Sequence, residues 1–219
     1  MSFKIAIDGP SASGKTEVSK LLAKRLKITA VDSGAIYRAV ALYCLKNNIE
    51  VNNECSVIQS LDSIHVDLKN NIVFLNGEDV SADIRKNEVS LATSVVAAIG
   101  GVREYVSKVQ RRVAGNTNVV MQGRDITSVV LPDAELKIYL NATPEERAKR
   151  RQKELEEKGE LVSFKEVLDG IQKRDEADMT RDISPLVKTE DSIEIDTTNM
   201  DIQEVVEKII SLVKERGLI

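Results

Sequence analysis

Hydrophobic and polar residues alternate along the chain in two rhythms that predict strands and helices in a repeating order. Phe3 to Asp8 and Ile28 to Val31 are short apolar runs, as expected of buried strands. Between them, Thr16 to Leu26 places apolar side chains at helical spacing with lysines between, and a second helix is predicted from Ala35 to Lys46. The strand–helix–strand–helix order predicts a parallel sheet with helices on its faces.

The middle of the chain follows a different pattern. Ile64 to Leu68 and Ile72 to Leu75 flank Lys69-Asn70-Asn71, which predicts an antiparallel hairpin with an asparagine-rich turn. Because antiparallel pairing interrupts an α/β order here, we expect a small insertion that lies over the main sheet. Helical periodicity resumes from about Glu88 to Val113.

The second half of the chain adds the rest of the predicted sheet. Three further strands are predicted, at Asn118 to Met121, Leu136 to Leu140 and Ser192 to Ile195. The segment from Pro144 to Gly159 is almost entirely charged or polar. An amphipathic helix from Asp201 to Arg216 ends the pattern.

Composition narrows the class of protein. The 219 residues are 42% hydrophobic and 30% charged, which is typical of a soluble globular protein, and the formal net charge of −4 does not favour nucleic acid as a partner. No apolar run has membrane-spanning length, and the first residues lack a signal-peptide pattern. Cys44, Cys55 and the single His65 lack metal-ligand spacing, which argues against a zinc site. We expect a cytoplasmic monomer with no nucleic-acid or membrane partner.

A phosphate-binding motif follows the first predicted strand and precedes the first predicted helix. It matches G-x-x-x-x-G-K-[ST] at every fixed position, and its alternative is an ordinary glycine-rich turn. In such a loop, backbone N–H groups and the helix start surround phosphate, the lysine contacts the β- and γ-phosphates, and the threonine hydroxyl binds Mg²⁺. The predicted ATP-binding residues are Gly9, Pro10, Ser11, Ala12, Ser13, Gly14, Lys15, Thr16 and the adjacent Glu17.

The loop alone does not identify the second substrate. The Asp-x-x-Gly and Asn-Lys-x-Asp strings of GTP-dependent switches occur nowhere in the chain. Three other stretches carry arginines, which suit phosphate because of their planar fork of donors. They are Asp32-Ser33-Gly34-Ala35-Ile36-Tyr37-Arg38, then Gly123-Arg124-Asp125, then Arg174-Asp175 with Asp178 and Arg181 before Ser184-Pro185-Leu186.

In this order, the strings resemble the bacterial cytidylate kinases of the nucleoside monophosphate kinase superfamily, over nearly the whole chain. The resemblance implies an α/β P-loop NTPase fold with a parallel sheet flanked by helices, a small antiparallel β insertion and a helical lid. It implies transfer of the γ-phosphate of ATP to CMP or dCMP with Mg²⁺. The core would comprise about 1–52, 88–143 and 185–219, the CMP-binding insertion about 53–87 and the lid about 144–184.

The resemblance also assigns roles to residues on the acceptor side. Ser94, Arg103 and Asp125 would recognise the cytosine edge, because a carboxylate accepts from N4 while arginine and serine donate to N3 and O2. The ribose hydroxyls would be held by Arg174 and Asp178, with a contribution from Ser33.

The phosphate groups would be held by arginines and by the lysine of the loop. Arg38, Arg124 and Arg181 would bind the CMP phosphate and the transferring group, whereas Arg147 and Arg151 would contact ATP from the lid. The expected catalytic residues are Lys15, Arg124 and Arg181.

Simpler interpretations remain open for several of these residues. Ser94 and Arg103 also fit ordinary helix polarity, and Arg124 beside Asp125 fits a local ion pair. The lid arginines fit a solvated helix face. Tyr37 fits packing as well as ligand contact, and Asp32 fits a helix cap as well as an orienting group for Mg²⁺-bound water.

The chain departs from the family pattern in places. Gln122 stands where relatives usually carry an acid close to the magnesium, so we expect the affinity for the metal to differ. Thr127-Ser128 replaces the usual Gly-Thr, and Ile99-Gly100 lies where proline is common. Two alternative functions remain: a kinase of UMP, dephospho-coenzyme A or a sugar-like acceptor, and a nucleotide-gated binding protein without an acceptor.

Overall fold

Across residues 2–69, 72–157 and 159–219, which the computed structural model describes, eight strands form two sheets. The strands are β1 (Lys4–Asp8), β2 (Thr29–Asp32), β3 (Val66–Lys69), β4 (Ile72–Leu75), β5 (Glu78–Asp79), β6 (Val119–Gly123), β7 (Leu136–Asn141) and β8 (Ile193–Asp196). The helices are α1 (Lys15–Leu26), α2 (Ser33–Lys46), α3 (Glu54–Ser60), α4 (Asn87–Val96), α5 (Gly100–Ala114), α6 (Pro144–Glu156), α7 (Phe164–Thr180) and α8 (Ile202–Glu215).

The larger sheet has the strand order β2-β6-β1-β7-β8, and every neighbouring pair is parallel. Its faces are both covered, as the alternation along β1 shows. Ile5 and Ile7 pack in the apolar cluster that includes residues of α1 and α8, whereas Ala6 packs with Val31 and Met121 on the other face. A parallel sheet buried on both sides is the reason that these strands are nearly continuous apolar runs.

The fold class predicted from the sequence is confirmed, and the predicted strands and helices occur within about two residues of their expected positions. The periodicity from Glu88 to Val113 covers two helices, α4 and α5, which meet at 106°. The break occurs because Ile99 is extended, with φ −77° and ψ 123°, directly before Gly100. Hydrophobic periodicity continues across such a bend because both helices pack into the same core.

The smaller sheet contains the antiparallel pair β3 and β4, as the sequence predicts, and adds the short strand β5, which it did not predict. The predicted turn at Asn70 and Asn71 lies outside the described residues. In the predicted lid range, α6 and α7 pack through a small cluster built on Ala148, Val167 and Ile171. Lys158 lies outside the described residues.

Within the described ranges, no single helix is long and apolar enough to cross a membrane. Among the described helices, α4 and α5 reach that length and apolarity only when taken together, and they are bent by 106°. Both contribute buried side chains to the core cluster around α2, among them Val89, Val96 and Val106.

Candidate active site

The motifs identified in the sequence meet at the carboxyl edge of the large sheet. β6 lies between β1 and β2, so Asp8, Asp32 and Gly123 end three adjacent parallel strands. Gly123 packs directly against Ser33, in the stretch from Asp32 to Arg38. A Cβ atom at Gly123 would lie 2.7 Å from Ser33 Oγ and 2.8 Å from the side chain of Ile126. The two strings are therefore in contact, although 90 residues separate Ser33 from Gly123 in the chain.

The phosphate loop needs glycine where it leaves β1. Gly9 has φ 152°, and a Cβ atom there would lie 2.0 Å from the carbonyl oxygen of Leu140 on β7. No side chain fits that approach, so the loop can turn here only with glycine. Gly14, with φ 89°, then leads into α1, whose first residues are Lys15 and Thr16.

Lys15 is buried inside the loop. Its Nζ donates to the carbonyl oxygen of Pro10 at 2.6 Å and to Ser13 Oγ at 3.2 Å. Burial lowers the pKa of Lys15 well below its ordinary value, and the positive charge of Arg124 lowers it further. An anion bound in the loop would stabilise the charged form of Lys15, as expected for a phosphate-binding lysine.

Thr16, Asp32 and Gln122 converge on one point at the rim of the loop. Gln122 Nε2 donates to Asp32 Oδ1 at 2.6 Å and to Thr16 Oγ1 at 3.4 Å. Asp32 Oδ1 also accepts from the N–H of Gly34 at 3.0 Å, so Asp32 caps α2. The helix-cap interpretation of Asp32 is confirmed, and its role toward Mg²⁺ stays a prediction.

A small cavity of about 110 Å³ opens beside these three residues. Arg85, which the sequence analysis did not single out, lines it and lies 3.6 Å from Asp32 through its Nη2 and Oδ2. Ser19 also lines this cavity, and its Oγ is buried without a hydrogen-bond partner. Arg85 lies 53 residues from Asp32, so only the folded chain reveals their proximity.

On the acceptor side, Arg103 and Asp125 form a buried ion pair, with side chains 4% and 3% exposed, through Nη2 and Oδ2. Arg103 Nη1 donates to the carbonyl oxygen of Ala97 at 3.0 Å, whereas Arg103 Nε is buried and has no partner in the part of the chain that the structure describes. The guanidinium lies 5.6 Å from the ring centre of Tyr37. Burial raises the pKa of the Tyr37 hydroxyl above its ordinary value. Tyr37 therefore packs against Arg103, and Arg103 is not an ordinary polar residue of a helix surface.

Asp178 connects two of the predicted phosphate-binding arginines. Its Oδ2 accepts from Arg124 Nε at 2.8 Å, and its Oδ1 accepts from Arg181 Nη1 at 3.0 Å. Arg181 Nε donates to the carbonyl oxygen of Ser184 at 2.8 Å, but its Nη2 is buried, and no described residue accepts from it. Burial and the nearby charge of Arg103 both lower the pKa of Arg181, so an anion here would be favoured.

The other predicted substrate-binding residues lie at the edges of this network. Arg38 is half-buried on α2, and burial lowers the pKa of its guanidinium. Ser94 is exposed on α4, outside the hydrogen-bonded network around Asp125 and Asp178. Arg174 is exposed on α7.

The remaining donor-side residues differ in exposure. Glu17 is exposed and pairs with Lys20 at 2.8 Å on the surface of α1. Arg151 is 41% exposed and pairs with Glu154 at 2.9 Å. Arg151 lines a cavity of about 230 Å³ together with Ser11 and Arg174, between α6, α7 and the phosphate loop.

Arg147 is buried, in contrast to Arg151. Its Nη1 contacts Asp175 Oδ2 and donates to the carbonyl oxygen of Ser11 at 3.1 Å, while its Nε donates to the carbonyl oxygen of Ala142 at 2.9 Å. Asp175 Oδ1 accepts from the N–H of Ser11 at 2.9 Å. The solvated-face interpretation is therefore wrong for Arg147.

Asp8 is a site residue that the sequence analysis missed. It is fully buried, and its carboxylate accepts from the N–H of Ile126 at 3.1 Å and from the N–H and Oγ1 of Thr127, both at 2.7 Å. Asp8 thereby fixes the single π-helical turn Ile126–Val130 that follows Asp125. An acid at the end of a strand was visible in the sequence, but its partners are 118 and 119 residues away.

Comparison with known proteins points to one family. The family model described as Cytidylate kinase matches residues 5–215. Proteins named cytidylate kinase from Thermosipho melanesiensis and Clostridioides difficile are 49% and 47% identical to the chain. The alignments cover 99% of the chain and 99% of the first protein, and 94% of the chain and 96% of the second.

Solved structures with similar folds are much more distant in sequence. An uncharacterized protein from Eubacterium ventriosum aligns over 97% of the chain and 99% of its own length, with a TM-score of 0.54 and 15% identity. A gluconokinase from Sinorhizobium meliloti aligns over 98% of the chain and 94% of its own length, with a TM-score of 0.50 and 12% identity. At this identity the likeness concerns the fold alone.

Proposed function

The chain belongs to the cytidylate kinase family and phosphorylates CMP and dCMP with ATP, and we propose that transfer takes place in the arginine-lined cleft beside the phosphate loop. One observation carries this assignment to the cleft. Arg103 Nε and Arg181 Nη2 are buried donors without partners among the described residues, and each belongs to an arginine that already pairs with an aspartate. Buried polar groups are almost always hydrogen-bonded, so such unmet donors support a ligand with acceptor atoms.

The cytosine fits the Arg103–Asp125 pair. Asp125 offers carboxylate oxygens to the N4 amino group, and Arg103 retains an unused N–H for a ring acceptor. Uracil carries a carbonyl oxygen at that position, and two acceptors would then face each other. The pair thus supports selection of CMP and dCMP over UMP. Ser94, which is exposed on α4, would add a hydroxyl donor for the cytosine ring.

The phosphates fit the positive charges between the loop and Asp178. Lys15 would contact the ATP phosphates, while Arg124, Arg181 and Arg38 would hold the CMP phosphate and the transferring group. Arg174 and Asp178 would contact the ribose, with Ser33 nearby. Phosphoryl transfer needs positioning and charge stabilisation more than covalent chemistry. The attacking phosphate oxygen is already ionised, so no general base is required.

The residues present also fit Mg²⁺. Thr16 and Asp32 offer oxygen atoms close enough together that one Gln122 nitrogen bonds both. Mg²⁺ commonly binds one or two protein oxygens and completes its shell with water and phosphates. This agrees with the finding that, among the described residues, no three or more His, Cys, Asp or Glu converge as a metal cluster. The ion would neutralise charge on the β- and γ-phosphates.

The remaining parts of the proposal concern the insertion and the lid, the location in the cell and the oligomeric state. Residues 53–87 would form the CMP-binding insertion and 144–184 the lid, with Arg151 contacting ATP from α6. The protein would act as a cytoplasmic monomer. Light scattering on the purified chain would test the monomer, because a dimeric mass would contradict it.

The direct test of the function is ADP formation from ATP and Mg²⁺ with CMP, dCMP, UMP, AMP and GMP as acceptors. We expect selective turnover of CMP and dCMP. Equal turnover of UMP would contradict the role of the Arg103–Asp125 pair. Turnover of none of the five, with slow acceptor-independent ATP hydrolysis, would instead favour a nucleotide-gated binding protein.

A further inference from the structure

Arg147 and Asp175 together hold the phosphate loop through the backbone of Ser11. Both backbone groups of Ser11 are engaged, the N–H by Asp175 Oδ1 at 2.9 Å and the carbonyl oxygen by Arg147 Nη1 at 3.1 Å. The two side chains also pair with each other, with 6% and 8% exposure. These contacts hold the two consecutive peptide units that meet at Ser11, inside the loop proposed to bind phosphate.

The same pair attaches the loop to two helices. Arg147 lies in the first turns of α6, where its Nε donates to the carbonyl oxygen of Ala142, and Asp175 lies within α7. Apolar packing reinforces the attachment, because Ala12 of the loop packs against the cluster that joins α6 to α7. The loop therefore rests on α6 and α7 through both ionic and apolar contacts.

α7 also carries the acceptor-side network. Asp178 lies three residues after Asp175, which places it about one turn further along the helix. Asp178 binds Arg124 and Arg181, the arginines proposed to hold the CMP phosphate. One helix, α7, thus connects Ser11 of the phosphate loop to Arg124 and Arg181 on the acceptor side.

We propose that Arg147 and Asp175 are positioning residues that couple ATP binding to CMP binding by fastening α7 to the phosphate loop. They act through Ser11, so this proposal replaces the contact of Arg147 with ATP that the sequence predicts by a contact with the loop itself. This inference rests on the proposed function, because it concerns the same two substrates. When ATP orders the loop, Asp175 holds α7, and Asp178 then holds Arg124 and Arg181 where CMP needs them.

Calorimetric titration of CMP, with and without a non-hydrolysable ATP analogue and Mg²⁺, tests the coupling. In the native chain we expect the analogue to tighten CMP binding by about fivefold or more, which is the usual lower range of coupling between sites. In Asp175→Asn the single amide oxygen can take the position of Oδ1, which accepts from Ser11, or of Oδ2, which accepts from Arg147, and the NH₂ group then takes the other position. We expect the tightening there to fall to within about twofold of none, with CMP binding to the free chain little changed.

Two further variants serve as comparisons. The double change Arg147→Met with Asp175→Leu removes both charges together, so it leaves no unpaired buried charge and should fold. It should lose the coupling as well. Asp191→Asn removes an exposed partner of Lys137, 2.6 Å away, at the amino-terminal end of β7 and opposite the cleft. It should keep the native coupling.

The outcomes separate the two claims. Native coupling in both Asp175→Asn and the double variant would overturn the positioning role, as would a native chain in which the analogue has no effect on CMP. A native chain that binds the analogue but not CMP would contradict the proposed function itself.

Discussion

Two buried arginine–aspartate pairs flank the cleft, and they differ in how completely the protein satisfies their hydrogen-bonding groups. On the donor side, Arg147 and Asp175 form hydrogen bonds with each other and with the backbone of Ser11 and Ala142. On the acceptor side, Arg103 pairs with Asp125, but its buried Nε finds no acceptor within residues 2–69, 72–157 and 159–219. Identical residue types thus serve two purposes, and the unmet donor distinguishes a ligand site from a structural support.

The difference has an energetic basis. Burying two charges costs several kcal/mol per ion unless further hydrogen bonds satisfy them. The donor-side pair has those bonds within the protein, so its charges are satisfied without a ligand. The acceptor-side pair lacks one, and CMP would supply it.

The largest expected effect on stability comes from breaking the Arg147–Asp175 pair. Asp175→Ala leaves Arg147 as an unpaired buried charge and Ser11 without an acceptor, and should lower the free energy of unfolding by about 3–5 kcal/mol. Asp125→Ala should cost less, because no backbone N–H loses its partner there. Urea unfolding of both variants measures the difference, and a larger loss for Asp125→Ala would invert the comparison.

The next effect concerns rate rather than stability. Lys15→Ala should lower kcat about a hundredfold, since one such contact in the transition state contributes roughly 3 kcal/mol. Stability should not fall in parallel, because burial already lowers the pKa of Lys15 and makes its charge costly. Steady-state kinetics tests the loss of kcat, and thermal unfolding tests the unchanged stability. A variant with near-native turnover would refute the assignment of Lys15.

A smaller effect is expected at the metal site. Gln122 donates to Asp32, so Gln122→Glu would place two carboxylates where a hydrogen bond of 2.6 Å now lies. Mg²⁺ would relieve that repulsion, and its activation midpoint should shift to lower concentration by severalfold, or about 1 kcal/mol. Binding of Mn²⁺ followed by electron paramagnetic resonance gives a readout apart from activity. Identical titrations for the two proteins would exclude an influence of residue 122.

The last prediction concerns the pH dependence of stability that arises from Lys15. Its pKa in the folded chain lies below its ordinary value of 10.5, so the unfolded chain binds more protons between those two values. Stability relative to Lys15→Met should therefore rise with pH in that window, by at most about 1.4 kcal/mol per pH unit. Bound ATP should flatten the rise. Parallel slopes for the two proteins without nucleotide would contradict the lowered pKa.

The contiguous part of the site could be predicted from the sequence because its geometry is local. The loop from Gly9 to Thr16 contains its own glycines, lysine and hydroxyl within eight residues. The order of strands and helices was equally accessible, since both faces of the parallel sheet are buried. The bend between α4 and α5 was not, because hydrophobic periodicity continues across it.

The supporting contacts could not be predicted because their partners are remote. Asp8 holds a turn that begins 118 residues later, and Asp175 holds a peptide 164 residues earlier. Arg147 and Arg151 lie on one helix in a uniformly charged stretch, yet one is buried and the other is exposed. Local sequence does not distinguish them, because the difference arises from the packing of α6 against α7 and the loop.

The comparison between the two pairs is tested most directly by the ratio of kcat/KM for CMP to that for UMP. In Asp125→Ala the N4 amino group loses its acceptor, and the ratio should fall about tenfold or more, in line with 1–3 kcal/mol for a specific base contact. In Asp175→Asn the ratio should remain within about twofold of the native value, even where the rates themselves fall. An unchanged ratio in Asp125→Ala, or an equal fall in both variants, would contradict the account.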